Sequence, residues 1–369
     1  MDFEEDPESK VTKAFEDFFD DVIIPASQRA SDLDPRISVS SENASEVREC
    51  TISNKRILDA DHRLIIIGAG PAGMSAAVYA ARAELEPLVV AKDGGQLEST
   101  SWIDNYPGFA DGVDAVELVM TLQKQAERFG AVFQECTITR VDLDCRPFRV
   151  HCDDDTSLTS SALIVATGAR AKWLGVPGEL ELLSKGVHTC ATCDGFFYKG
   201  LHAAVIGGGD TAMEQALFLA RLAAKVTVIH RRESFRASKA MATRVLNHPN
   251  IEILWDTTVQ HFVEGPDGTL ATLRLGHKGK DNETVVRDLK VDGAFVAIGH
   301  VPNTQLFESV RKDTEGYIYT IPGSTVTSVT GIYAAGDVQD HVYRQAITSA
   351  GTGAMAAMDA ERWLCEHGC

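Results

Sequence analysis

The sequence predicts an α/β protein carrying two Rossmann-like nucleotide-binding units. Three observations lead there. From residue 61 onward, short apolar runs alternate with helical stretches, the pattern of βαβ units around parallel sheets. A glycine loop, Gly68-Ala69-Gly70-Pro71-Ala72-Gly73, joins the first apolar run to a helix. A second loop, Gly207-Gly208-Gly209-Asp210-Thr211-Ala212, does the same later in the chain.

In order, RLIIIGAG (63–70) reads as a strand running into a tight turn, AAVYAARAE (76–84) as helix and PLVVA (87–91) as the next strand. The layout recurs as HAAVIGGG (202–209), DTAMEQALFLARLA (210–223) and KVTVIH (225–230). One supersecondary unit used twice predicts two bound nucleotides. Leu64–Ala81 is an unbroken run of apolar and small residues, long enough to suggest a membrane span. The glycines and Pro71 near its start favour a buried strand followed by a packed helix instead.

Composition narrows the function classes. The 369 residues carry 53 Asp and Glu against 35 Lys and Arg, a net charge of −18. Such a surface repels nucleic acid and anionic membrane, so neither is an expected partner. Residues 1–60 hold fifteen acids against seven bases, hence −8 of the total. Residues 1–61 are expected to form an acidic, mostly mobile extension, with AFEDFFDDVI (14–23) as one short helix. A docking or regulatory arm is the functional alternative. Eight cysteines and no basic-then-apolar leader point to a reducing, cytoplasmic setting.

The two loops have different neighbours downstream. In the first unit, Gly68 allows the turn, Gly70 lets amides approach a pyrophosphate and Gly73 lets the helix pack close. Asp93, past the second strand, is placed to bind a ribose hydroxyl. In the second copy that position holds His230-Arg231-Arg232, with Arg236 close behind. Guanidinium groups bind a 2′-phosphate that an acid would repel, so NADPH is expected there and FAD in the first unit. Gly207, Gly209, Asp210 and Thr211 complete the second site.

HTCATCDGFF (188–197) places Cys190 and Cys193 two residues apart, with Asp194 directly after. On their own the two sulfurs could be half a zinc site, a structural disulfide or an electron carrier. Zinc needs four ligands and commonly two paired motifs. His188 and the tail cysteines make no standard second pair, so no metal is expected. An FAD and NADPH protein with one CxxC suggests a flavin disulfide reductase.

The chain from about residue 62 resembles the low-molecular-weight, bacterial-type thioredoxin reductases. GAGPAG (68–73), GGQLEST (94–100), NYPGF (105–109), ATGA (166–169), CATCDGFF (190–197), GGGDTAMEQA (207–216), HRRESFRAS (230–238), AIGHVPNT (297–304), YAAGDV (333–338) and RQAITSAGTGAMAAMDAE (344–361) carry the resemblance. It implies two three-layer ββα domains: an NADPH domain (173–300) inserted into a discontinuous FAD domain (62–172 and 301–369). It implies a homodimer that reduces the disulfide of thioredoxin. Its FAD-binding positions fall on Gly68, Gly70, Gly73, Gln96, Asn105, Thr167, Gly168, Asp337, Gln345 and Ala346; Asp93 lies in a loop that varies in the family.

The resemblance further implies that NADPH reduces FAD, FAD reduces the Cys190–Cys193 disulfide, and the dithiol reduces thioredoxin. Cys193 is the sulfur expected nearest the flavin. Asp194 is the expected proton-managing residue, and it also reads as a helix N-cap before GFF, a role that can hold alongside the first. The NADPH domain is expected to rotate about crossings near Arg170–Gly175 and Gly299–Asn303. Cys50, Cys136, Cys145 and Cys152 read as incidental, with CRPFRVHC (145–152) on a hairpin. Cys365 and Cys369 read as ordinary thiols at a helix end, a second redox relay being the alternative. Two competing readings are another enzyme on the same frame and a non-catalytic nucleotide sensor.

Overall fold

The computed structural model describes residues 59–278 and 283–368. The helix expected at 14–23, the mobility expected of the extension, and Cys50 and Cys369 lie outside these residues. The first region comprises β1 (His62–Ile67), α1 (Pro71–Arg82), β2 (Leu88–Ala91), α2 (Ala115–Arg128), β3 (Val132–Glu135), β4 (Ile138–Asp142), β5 (Phe148–Cys152), β6 (Ser157–Val165) and β7 (Ala169–Ala171). The middle region comprises β8 (Val187–His188), α3 (Ala191–Asp194), β9 (His202–Ile206), α4 (Asp210–Leu219), β10 (Lys225–Ile229), α5 (Lys239–Leu246), β11 (Ile251–Leu254), β12 (Thr257–Glu264), β13 (Leu270–Lys278), β14 (Thr284–Lys290), β15 (Gly293–Val296) and β16 (His300–Pro302). The chain then returns to the first sheet through β17 (Ile332–Ala334) and ends in α6 (Ala346–Glu366).

The first sheet has strand order β3-β2-β1-β6-β5-β4. β6 is shared: residues 157–160 pair antiparallel with β5, and residues 163–165 pair parallel with β17. The second sheet, β8-β15-β9-β10-β11, is all parallel, and β12-β13-β14 form an antiparallel meander. The middle sheet therefore sits in sequence between two parts of the first, the insertion the resemblance implies.

Side-chain alternation explains why the strands are apolar throughout. In β1, Leu64 and Ile66 join one core with the helices, while Ile65 and Ile67 join another on the opposite face. In β9, Ala203 and Val205 face α4, and Ala204 and Ile206 face the meander core of Phe262, Leu273 and Leu275. Both faces are covered, which produces a near-continuous hydrophobic strand. The run Leu64–Ala81 thus divides into β1, a loop and α1. No helix among the described residues is long and apolar enough to cross a membrane.

α1 packs tightly on α6. A Cβ on Gly353 would lie 2.0 Å from the Ala72 carbonyl oxygen, so only glycine permits this approach. The two crossings between the regions meet as a ribbon, with β7 antiparallel to β16. Beside it, the buried Glu179 carboxylate accepts hydrogen bonds from the Leu174 and Gly175 amides at 2.9 and 2.7 Å.

Candidate active site

β1 and α1 meet at the first glycine loop. Gly68 has φ +107°, and a Cβ there would lie 2.4 Å from the Ala166 carbonyl oxygen. A Cβ on Gly73 would lie 1.8 Å from the Gly68 oxygen, so Gly73 sets how closely the helix begins against the strand. Gly68 and Gly70 line a cavity of about 690 Å³; Gly73 does not. Of the first-unit positions singled out in sequence, Asp93, Gln96, Asn105, Thr167, Gly168, Asp337, Gln345 and Ala346 all reach this cavity. They come from separate stretches of chain.

Five of them are held from behind. Asp93 accepts the Gly95 amide at 3.0 Å. The Gln96 amide donates to the Ala169 carbonyl. Thr167 and Asn303 are doubly linked, Thr167 Oγ1 donating to the Asn303 carbonyl at 2.7 Å and Asn303 Nδ2 to the Thr167 carbonyl at 2.8 Å. Gln345 caps α6, its side chain and that of Thr348 serving each other's backbone amides. Asp337 accepts Ser349 Oγ–H at 2.9 Å. Burial pushes its carboxyl up to about 6, against the smaller opposing effect of that hydrogen bond.

Cys190, Cys193 and Asp194 line the same cavity. The two sulfurs are bonded, with Cα atoms 5.3 Å apart. α3 is a single turn whose N-cap is Cys190, and the Cys193 amide donates to Cys190 Sγ at 3.2 Å. That N–H is aimed to stabilise a Cys190 thiolate once the bond opens. Gln345 reaches both sulfurs: Nε2 is 3.9 Å from Cys190 Sγ, and Oε1 is 4.0 Å from Cys193 Sγ.

Asp194 makes no side-chain cap to the turn beyond it, Gly195–Tyr198, which corrects the N-cap reading. Its Oδ2 instead lies 3.1 Å from Nδ1 of buried His188. The carboxylate faces the imidazole and not the short helix's amides.

The second loop forms a separate surface. None of Gly207, Gly209, Asp210, Thr211, His230, Arg231, Arg232 or Arg236 lines the cavity. A Cβ on Gly207 would lie 2.3 Å from the Ala297 carbonyl oxygen. Gly209 precedes α4, which Asp210 and Thr211 begin. Asp210 accepts the Ser238 amide at 2.9 Å, which holds its carboxyl below the usual range. The Arg236 amide donates to the Gly208 carbonyl at 2.8 Å, pinning the basic loop to the glycine loop. Arg231, Arg232 and Arg236 are exposed. His230 is not: it is buried under Gly208, and burial lowers its pKa. It props the loop, while Arg236 Nη2 comes within 3.6 Å of where a Cβ on Gly209 would lie.

Several cavity residues escape the sequence reading. His300, on β16, lines the cavity with Nδ1 buried and without a hydrogen bond. Burial, then Arg344 and Lys172, lower its pKa to about 4, so the ring is neutral at neutral pH. The stretch AIGHVPNT contains it, but no spacing rule marks it. Cys136 is another. It lines the cavity and is disulfide-bonded to Cys152, both buried, which corrects the incidental reading. The β4–β5 hairpin, expected at 145–152, aligns them: Thr137 N donates to Asp153 Oδ1 and Asp153 N to the Thr137 carbonyl. Cys145 and Cys365 are free and exposed.

A pyridine nucleotide-disulphide oxidoreductase family model matches residues 62–353. The chain belongs to the pyridine nucleotide-disulphide oxidoreductase family. A thioredoxin reductase of Rickettsia bellii is 47% identical over 82% of this chain and 98% of its own length. A protein of Pseudomonas fluorescens named glucosaminate ammonia-lyase is also 47% identical, over 82% of this chain and 95% of its own. Among solved structures, thioredoxin reductase from Giardia duodenalis superposes with TM-score 0.77 at 37% identity, covering 82% of this chain and 99% of that one. FAD and NADPH are the cofactors of this enzyme class, and the residues present fit them. The glycine cradle admits phosphates, while His300 Nδ1 and the Asp337 carboxyl offer polar groups in the cavity wall.

Proposed function

We propose that this chain is a thioredoxin-disulfide reductase, drawing electrons from NADPH through FAD to Cys190–Cys193. The observation that carries the reading is one cavity lined by both the Gly68–Gly70 loop and the Cys190–Cys193 pair. When bound, FAD and NADPH supply hydride transfer and a two-electron reductant.

Opening the Cys190–Cys193 bond takes two electrons and two protons. Asp194, at the cavity edge beside Cys193, is the residue proposed to carry a proton. One of the two thiols gives up its proton and the thiolate attacks the thioredoxin disulfide, forming a mixed disulfide and releasing a thioredoxin thiolate, which takes up that proton. The second cysteine attacks the mixed disulfide, reforming the Cys190–Cys193 bond and releasing reduced thioredoxin.

The FAD domain is assigned to 62–172 and 301–369, and the NADPH domain to 173–300. The β7–β16 ribbon at the crossings supports these bounds. Gly68, Gly70, Gln96, Asn105, Thr167, Gly168, Asp337, Gln345 and Ala346 form the proposed FAD site, with Asp93 at its rim. Gly207, Gly209, Asp210, Thr211, Arg231, Arg232 and Arg236 form the NADPH site, His230 supporting it. Because that site lies outside the cavity holding Cys190 and Cys193, turnover needs the domains to change places about the ribbon. The homodimer expected from the resemblance and the cytoplasmic setting expected from composition belong to the same proposal.

Anaerobic titration with NADPH, then addition of oxidised thioredoxins, tests it. Flavin bleaching, two new thiols and thioredoxin-dependent NADPH consumption are expected. Absence of thioredoxin-dependent turnover refutes it, and ammonia release from glucosaminate would favour the other named activity.

A further inference from the structure

Behind Asp194 lies a buried polar chain that the electron path does not use. His188 Nδ1 is 3.1 Å from Asp194 Oδ2, and His188 Nε2 is 2.6 Å from the Tyr198 hydroxyl. The imidazole stacks on Phe295, centroids 5.2 Å apart, and Tyr198 meets both rings edge-on. The Tyr198 ring fills space that only a glycine at 293 leaves open: a Cβ there would lie 2.2 Å from it. His188, Tyr198 and Phe295 are buried, and Asp194 shares the cavity wall with both cysteines.

The contacts favour one arrangement of hydrogens. Facing a carboxylate oxygen at 3.1 Å, Nδ1 of His188 is the ring nitrogen suited to carry the hydrogen. In the neutral ring Nε2 is then bare and takes the Tyr198 O–H. Burial, then the nearby Asp194 and Asp292, push the Tyr198 phenol up, so it remains a protonated donor. The chain Tyr198 to His188 to Asp194 therefore has one consistent direction.

We propose that His188 is a positioning residue for the disulfide chemistry: its Nδ1–H holds Asp194 in place, with Tyr198 locking the tautomer. This rests on the proposed proton role of Asp194. The sequence offered His188 only as a candidate zinc ligand. Its neighbours assign it instead to the carboxylate six residues on, across the turn that holds both cysteines. A fixed carboxylate serves the same sulfur at every turnover, whereas a released one swings toward solvent.

Four variants of the flavin-loaded protein test this: Asp194→Asn, His188→Phe, His188→Asn and Tyr198→Phe. Phenylalanine keeps the stack on Phe295 and removes both polar contacts. Asparagine keeps an N–H where Nδ1 stood. Flavin content and melting temperature verify folding. The two readouts are kcat and KM with oxidised thioredoxin, and iodoacetamide alkylation of the reduced Cys190–Cys193 pair across pH 5–9, the latter free of turnover. His188→Phe should lower kcat about tenfold with KM unchanged. It should also move the alkylation midpoint down, as Asp194→Asn does by removing a negative charge beside the sulfurs. His188→Asn should stay within about twofold of wild type, and Tyr198→Phe should fall between.

Wild-type behaviour in His188→Phe while Asp194→Asn is impaired overturns the positioning role alone. Equal impairment of His188→Asn and His188→Phe overturns it too, because packing then explains both. Wild-type behaviour in Asp194→Asn overturns the proton role of Asp194, and the positioning proposal with it. If His188→Phe does not fold, Tyr198→Phe decides: an unshifted alkylation midpoint overturns the proposal.

Discussion

Replacing Asp337 by Asn should change how the flavin-free protein responds to pH. Burial raises the Asp337 carboxyl to about 6 from an ordinary 3.8. A carboxyl whose folded pKa is raised binds its proton more tightly in the native state. Its contribution is fully present below the unfolded pKa, near 3.8, and is lost as pH rises through about 6. The shift of about two units corresponds to a total loss of about 3 kcal/mol, of which about 2 kcal/mol falls between pH 4 and 7. Asparagine keeps an acceptor for Ser349 Oγ–H and cannot ionise. Urea unfolding of the flavin-free wild type and Asp337→Asn, measured every half unit from pH 4 to 8, isolates this group from the others that titrate. The wild type should lose about 2 kcal/mol relative to the variant as pH rises from 4 to 7. A stability difference that stays flat, or that grows in the wild type's favour, refutes the burial argument.

Two further outcomes are expected. Arg231→Ala with Arg232→Ala should lower kcat/KM for NADPH about ten- to a hundredfold while leaving NADH nearly unchanged, the loss of charge-assisted bonds to one phosphate. Equal losses with both nucleotides would remove these arginines from the 2′-phosphate site. Gly353→Ala sets two effects against each other. Helix propensity favours alanine by about 1 kcal/mol, but the new Cβ would lie 2.0 Å from the Ala72 carbonyl oxygen. Forcing α1 from α6 should win by about 1–3 kcal/mol and weaken flavin retention, read by thermal unfolding and bound flavin; a more stable variant would show that the helices separate freely.

Local chemistry made much of this protein legible in its sequence. A strand buried on both faces must be apolar, so β1 and β9 announce themselves as LIII and AAVI. A helix that starts against its own strand needs glycine, which is why Gly68 and Gly73 could be read without coordinates. The arginines at 231, 232 and 236 stood out because, in an acidic chain, they take in the second unit the place Asp93 holds in the first. These signals involve residues near one another in the chain.

What remained hidden depends on residues that only folding brings together. The β4–β5 hairpin pairs Ile138 with Cys152 and so brings Cys136, two residues earlier, within bonding reach of Cys152, and no spacing rule distinguishes such a pair from two incidental thiols. His230 looks like its arginine neighbours in sequence, yet the strand end turns it under Gly208 while they face water. His300 becomes a cavity residue because β16 returns beside β7. By itself the sequence determined two nucleotide loops and a pair of sulfurs able to exchange electrons. Only the tertiary structure decided that the sulfurs share a cavity with the first loop and not the second. Only it placed His188 and Tyr198 behind Asp194, because burial and hydrogen-bond partners are properties of the packed chain.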